Sequence, residues 1–235
     1  MPRRFREDEE ERIRWALMGA GRDIMGLRGA RKTSIDELVR SAGIAKGSFY
    51  RFFSSKESLA LQIMAEWERE FHQEIARLFE ETSPHGIGPT AELLRTVFLE
   101  LFPRKVMESG IQALMDPEEI AYLAQRADAD QRRMMDLQDV RLFEQLRPLF
   151  VSAGLHPALP DHQIIAGLRL LFEAGLRAMR TVGETELRAM RTVDETELTS
   201  EHFHAAFLTL LRGFLSEAFR PAPTTSDSGQ EGSSP

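Results

Sequence analysis

Cysteine is absent from this chain of 235 residues, which excludes disulfide bonds, thiol sensing and cysteine-held zinc or iron–sulfur centres. No apolar run approaches the roughly 18 residues of a membrane-spanning helix. The opening stretch MPRRFREDEEER also lacks the apolar centre of a signal peptide. The expectation is a soluble, cytoplasmic protein with no membrane partner. Catalytic signatures are equally scarce. The chain has no phosphate-cradling G-x-x-x-x-G-K-S/T and no Ser/His/Asp order with supporting context, and the Gly-Ile-Gly at residues 86–88 lacks the strand and third glycine of a dinucleotide site. The six histidines do not read as a set. His202 and His204 sit two apart and point in different directions on a helix, His156 and His162 flank a proline-rich loop, and His72 and His85 offer no constellation. No metal, cofactor or catalytic residue is expected.

Charge is plentiful and unevenly spread. The net charge is -7, yet residues 1–56 hold 13 Lys and Arg against 8 Asp and Glu, leaving -12 for the remainder. A basic head on an acidic body suits a DNA reader with a separate sensor. Within that head, residues 33–59, TSIDELVRSAGIAKGSFYRFFSSKESL, spell two short helices and a tight turn. Ser34 and Glu37 form a capping box that starts the first helix. Leu38, Val39 and Ala42 supply its apolar face, and Gly43 ends it in the left-handed conformation. Ile44, Phe49 and Phe52 give the second helix an apolar face that meets the first. Lys46, Gly47, Ser48, Tyr50 and Arg51 are left outward, and all but the glycine can bond phosphates or base edges.

These residues resemble the TetR family of one-component transcriptional regulators. The family pattern is matched by Thr33 and Ser34, by Leu38 and Val39, by AGIAKGSFY from Ala42 to Tyr50, by Phe53, and by KESL from Lys56 to Leu59. Upstream, ALMGAGRDIMGLRGARKTS is similar to the family's first helix, closed by Gly29. The resemblance covers about the first 60 residues. It implies an all-α fold: an N-terminal three-helix helix-turn-helix DNA-binding domain at residues 1–56, and a larger helical effector-binding and dimerisation domain at residues 57–220. It also implies that Thr33, Ser34, Tyr50 and Lys56 hold phosphates, while Lys46, Gly47 and Ser48 meet bases or nearby backbone. The chain departs from the pattern at Ala45, where a capping serine is usual, and at Val39, where alanine is usual. Gly19, Gly21 and Gly26 weaken the first helix by about 1 kcal/mol each relative to alanine, so the head is expected to lean on the body for its order.

The body reads as further helices. Leu59, Ile63, Trp67, Phe71, Ile75 and Leu78 recur at three- and four-residue steps through residues 56–81. After the breaker SPHGIGP, a helix over residues 90–102 should stop before Pro103, with a shorter element near residues 107–115. Asp116 and Pro117 should open one long helix reaching about residue 151, bent or ended by Pro148. GLHPALPD reads as a loop, followed by helices over residues 161–179 and 200–219. LRAMRTVGETE at residues 176–186 is repeated as LRAMRTVDETE at residues 187–197, a duplication read as tolerated in an exposed connection. Residues 221–235, PAPTTSDSGQEGSSP, read as a disordered tail.

The expected function is sequence-specific binding of double-stranded DNA, as a repressor released from a palindromic operator by a small apolar or amphipathic effector. Trp67, Phe71, Phe98, Phe102, Met107, Met115, Phe143 and Phe172 are the candidate effector-binding residues. Gly167, Leu171, Ala174, Phe203, Phe207, Leu210 and Phe214, on the last two helices, are the candidate contacts of a homodimer. The alternative keeps the DNA-binding head and makes the helical body a protein-interaction module without a small-molecule effector.

Overall fold

Glycine placement decides how the head meets the body in the computed structural model, which describes residues 7–82, 91–152, 154–189 and 200–221. The elements run α1 Glu7–Arg28, α2 Ile35–Ser41, α3 Lys46–Phe52, α4 Lys56–Thr82, α5 Ala91–Thr96, a π-helical turn Val97–Leu101, α6 Phe102–Ser109, α7 Pro117–Arg126, α8 Ala129–Ser152, β1 Leu155–Pro157, α9 Asp161–Ala189, α10 Ser200–Ala218 and β2 Phe219–Pro221. In α1, a Cβ on Gly21 would fall 2.6 Å from Ile63 Cδ1 of α4. One on Gly26 would fall 2.0 Å from the Gly110 carbonyl oxygen. Backbone therefore lies against backbone there, and Ala113 N–H donates to Gly26 O at 2.8 Å. The helix propensity lost at these two glycines is the condition for docking the head on the body.

Local signals build the head as expected. Gly29 (φ +83°) ends α1 and Gly43 (φ +68°) ends α2. Gly43 N–H bonds Arg40 O and Ile44 N–H bonds Val39 O, the paired bonds of a Schellman turn. Ser34 Oγ accepts from Glu37 N–H while Glu37 Oε2 accepts from Ser34 N–H, completing the capping box. α3 begins at Ala45 without a side-chain cap. Phe49 is completely buried and joins Leu38, Phe53 and Leu59 in the head's core.

Four expectations for the body need correction. The helix over residues 90–102 does not stop at Pro103. Phe102 N–H reaches five residues back to Val97 O, so a widened turn absorbs the proline, which sits in the first turn of α6. The segment after Pro117 is two helices rather than one: Ala127 is extended, and Asp128 and Gln131 form a second capping box that starts α8 afresh. Pro148, expected to bend or end the helix, lies inside α8. Part of the expected loop GLHPALPD is strand, Leu155–Pro157 pairing antiparallel with Phe219–Pro221, where Phe219 stacks on Phe150 at 4.6 Å. The helix expected over residues 161–179 runs on as α9 through the first repeat copy to Ala189. Residues 1–6, the breaker SPHGIGP at residues 83–89, residues 190–197 of the second copy and the tail beyond residue 221 lie outside the described residues.

Candidate nucleic-acid interface

α3 is held by Phe49 on its inner side, and this leaves the opposite side of a seven-residue helix free to face a ligand. Lys46, Gly47, Tyr50 and Arg51 are exposed and Ser48 is half-buried. A Cβ on Gly47 would meet no atom of the chain within 4 Å, so nothing inside the protein requires a glycine there. Tyr50 is 54% exposed and lies edge-on to Phe49. The two cations of this face are paired within the head: Lys46 Nζ lies 2.9 Å from Asp36 Oδ1, and Arg51 Nη2 lies 2.7 Å from Glu10 Oε1. The bond to Asp36 raises the Lys46 pKa above its ordinary value. Both pairs are solvent-exposed, so each contributes little to stability and can be exchanged for a phosphate.

The turn before α2 is organised differently. Ser34 is exposed, and Lys56 Nζ donates to the carbonyl oxygens of Arg31 and Thr33 at 3.1 and 2.8 Å. Thr33 requires a correction. It is 2% exposed and its hydroxyl donates to Gly29 O at 2.8 Å, so it fixes the turn instead of reaching outward. Glu37 is held down to about 2 by the Ser34 backbone N–H, then by Arg28 and the Ser34 hydroxyl. Glu119, which no local pattern singles out, is a buried acid on α7 whose carboxylate accepts from Arg31 N–H at 3.0 Å and Arg31 Nε at 2.9 Å. Beside it, Tyr122 OH donates to Glu57 Oε1 at 2.6 Å, and the Arg126 guanidinium lies 3.9 Å from the Tyr122 ring centre. α7 thus grips both the end of the α1 turn and the start of α4.

Five of the eight candidate effector residues share one aromatic cluster. Trp67 stacks on Phe71 at 5.1 Å, both meet Phe102 at 5.5 Å, and Phe172 bridges Phe102 and Phe98. Phe207 of α10 closes the cluster against Phe98. Met115 packs half-buried against the core. Met107 and Phe143 do not join: Met107 is 66% exposed, and Phe143 sits with Phe150 in a separate group.

The expected dimer residues are also divided. A Cβ on Gly167 would fall 2.2 Å from Phe214, and Phe207 is buried. These three bring α9 and α10 of one chain together. Leu171 is half-buried, Ala174 and Leu210 are exposed, and the Phe203 side chain lies outside the described residues.

One polar group in the body overturns the reading of His72 as isolated. Glu68 and His72, four apart on α4, converge with Asp139 of α8 so that their ligand atoms lie within 4.8 Å of one another. Burial pushes the Glu68 carboxyl up to about 8, with Asp139 adding and Arg169 opposing. Burial lowers the His72 pKa, against Asp139. The Glu68-x-x-x-His72 spacing was visible in the sequence, but the third member lies 67 residues beyond His72.

Residues 17–63 match the family model of bacterial regulatory proteins, tetR family. The transcriptional repressor NemR of Escherichia coli K12 is 30% identical over 71 residues, which cover 30% of this chain and 36% of that protein. The match therefore spans little more than a third of the curated relative's length. Among solved structures, RolR in complex with resorcinol superposes with a TM-score of 0.52 at 18% identity, covering 94% of this chain and 100% of that one. A TetR regulator from Rhodococcus sp. RHA1 gives 0.51 at 16%, covering 88% and 98%. The head thus carries, over residues 17–63, the pattern of the bacterial regulatory proteins of the tetR family in its expected helices, and the chain as a whole shares the fold of these solved structures.

Proposed function

We propose that this chain is a homodimeric repressor that binds a palindromic operator through α3 and releases it when a small apolar or amphipathic molecule enters the body. The outward face of α3 carries the reading: Lys46, Gly47, Ser48, Tyr50 and Arg51 face away from a helix pinned by Phe49. Lys46 is the base-reading group, able to bond guanine, and Ser34, Tyr50, Arg51 and Lys56 hold phosphates. The repressor NemR supports the sign of regulation through the segment it shares. Two copies of α3 one DNA turn apart, about 34–36 Å, would read the two half-sites. The outer face of α9 and α10, with Leu170 at 67% and Leu210 at 59% exposure beside Ala174, is the surface for the second copy.

The cluster of Trp67, Phe71, Phe98, Phe102 and Phe172 is the effector site, because it joins α4, the π-helical turn, α6 and α9. Phe102 opens α6, and α6 ends at Gly110 beneath Gly26. A ligand that parts these rings shifts α6 and, through it, the end of α1. α7 follows at Arg31 and Glu57, so the head is moved from several points at once. Effector and DNA must then weaken each other's binding by the same factor.

The test is operator affinity at fixed salt. Lys46→Ala should weaken operator binding by about 1–3 kcal/mol and relax one position of each half-site, with a smaller change on random DNA. Equal losses on both would make Lys46 a phosphate contact. Undiminished operator binding would remove α3 from the interface.

A further inference from the structure

We propose that Glu68, His72 and Asp139 form a binding site for one divalent first-row transition ion, with zinc as the type ion. The three donors come from two helices and differ in chemistry: an imidazole and a carboxylate four residues apart on α4, and a carboxylate on α8. Four-residue spacing puts both α4 donors on one face, one turn apart. One imidazole with two carboxylates suits zinc, manganese, cobalt or nickel, whereas copper(I) favours sulfur ligands.

Two observations take this beyond a chance meeting of charges. Glu68 is half-buried and, among the described residues, makes no hydrogen bond or ion pair, although withdrawing a carboxylate from water without a partner is costly. Asp139, by contrast, is oriented. Its Oδ2 accepts from Arg169 Nε at 2.8 Å and also from Nη2, and Arg169 Nη1 is held by Asp136 at 2.9 Å. The other oxygen, Oδ1, is left 3.9 Å from His72 Nε2, too far for a hydrogen bond. Donors around a tetrahedral zinc stand about 3.4 Å apart, given bonds of about 2.1 Å. Binding therefore needs the three side chains to close by about an ångström, drawing α4 toward α8. Since α4 begins in the head at Lys56, on the function proposed above the ion is a second input to DNA binding, adjacent to Trp67 and Phe71. The site itself does not depend on that function.

The experiment uses the full chain, stripped by chelator and titrated with Zn²⁺ by calorimetry and with Co²⁺ by visible absorption, in the absence of DNA. One ion per chain is expected, with Co²⁺ bands from a mixed nitrogen and oxygen set. His72→Ala and Asp139→Asn should each abolish or strongly weaken binding, and Arg169→Gln, which frees Asp139 to rotate, should weaken it about 10- to 100-fold. His162→Ala and His202→Ala should leave it unchanged. Glu68→Gln keeps shape and removes the carboxylate that would ligate the ion, so it should lose the ion while retaining its melting temperature, and it decides the matter if the other variants do not fold. No uptake, or uptake undiminished in Glu68→Gln and His72→Ala, overturns the site. DNA binding tested separately distinguishes failure here from failure of the proposed regulator.

Discussion

The capping and turn bonds around α2 of the head close within ten residues of chain, whereas the carboxylates that the body turns to Arg169 and Arg31 are satisfied across 30 to 88 residues. Thr33 bonds Gly29, Ser34 bonds Glu37 and Lys46 pairs with Asp36, none more than ten residues apart. In the body Arg169 reaches back to Asp136 and Asp139, and Glu119 reaches 88 residues to Arg31. A helix-turn-helix must present one surface to a ligand of fixed geometry, and short local bonds keep that surface in place. A body that responds to a ligand needs contacts that exchange, and these join separate helices.

Substitutions should break this contrast in a graded order. Phe49→Ala, which empties the centre of the head, should cost about 3–5 kcal/mol because Phe49 has no exposed surface. Its thermal melt should move far more than that of Tyr50→Ala one residue away, where the loss should fall on DNA binding. Next comes a paired test within α1. Gly26→Ala drives a Cβ into the Gly110 carbonyl and should destabilise by about 1–3 kcal/mol, whereas a Cβ on Gly19 meets nothing within 4 Å. Gly19→Ala should therefore stabilise by up to about 1 kcal/mol. Opposite signs from one substitution at two sites on one helix would establish the backbone contact between head and body. Equal signs would deny it.

Two smaller effects sharpen the account of the head. Ala45→Ser supplies the missing cap of α3 and should raise stability by about 0.5–2 kcal/mol; an unchanged denaturation midpoint would mean the helix start is already satisfied. Glu37 has a folded pKa of about 2 against an ordinary 4.5. A depressed acid stabilises the fold above its unfolded value, and that contribution drains away as pH falls from about 4.5 through about 2. Acid titration of Glu37→Gln should lack this part of the pH dependence, and a profile identical to the parent would remove the capping box from the account.

The same contrast explains what could be read in advance. The capping box at Ser34, the turns at Gly29 and Gly43 and the burial of Phe49 were legible because each is encoded over three to five residues. The second capping box, at Asp128 and Gln131, has an equally local signal, yet the strong start at Asp116 and Pro117 hid it inside one continuous helical pattern. Gly21 and Gly26 could be read only as weak helix formers, since their partners Ile63 and Gly110 lie on other elements. Thr33 matched a family pattern, but its burial depends on how the turn closes. Among the aromatics, helical spacing marked Trp67 and Phe71 as a pair, while the separation of Phe143 from their cluster is a property of tertiary packing. Glu68 and His72 had a readable spacing and no readable partner.

The account rests on α3 as a sequence reader in a dimer, and the most direct measurement is selection of bound duplexes from a random pool at stated salt, with Tyr50→Ala in parallel. A palindrome enriched by the parent chain, with half-sites about one helical turn apart, and lost in the variant is the expected result. No enrichment by a folded parent chain, or equal enrichment by both proteins, would contradict it.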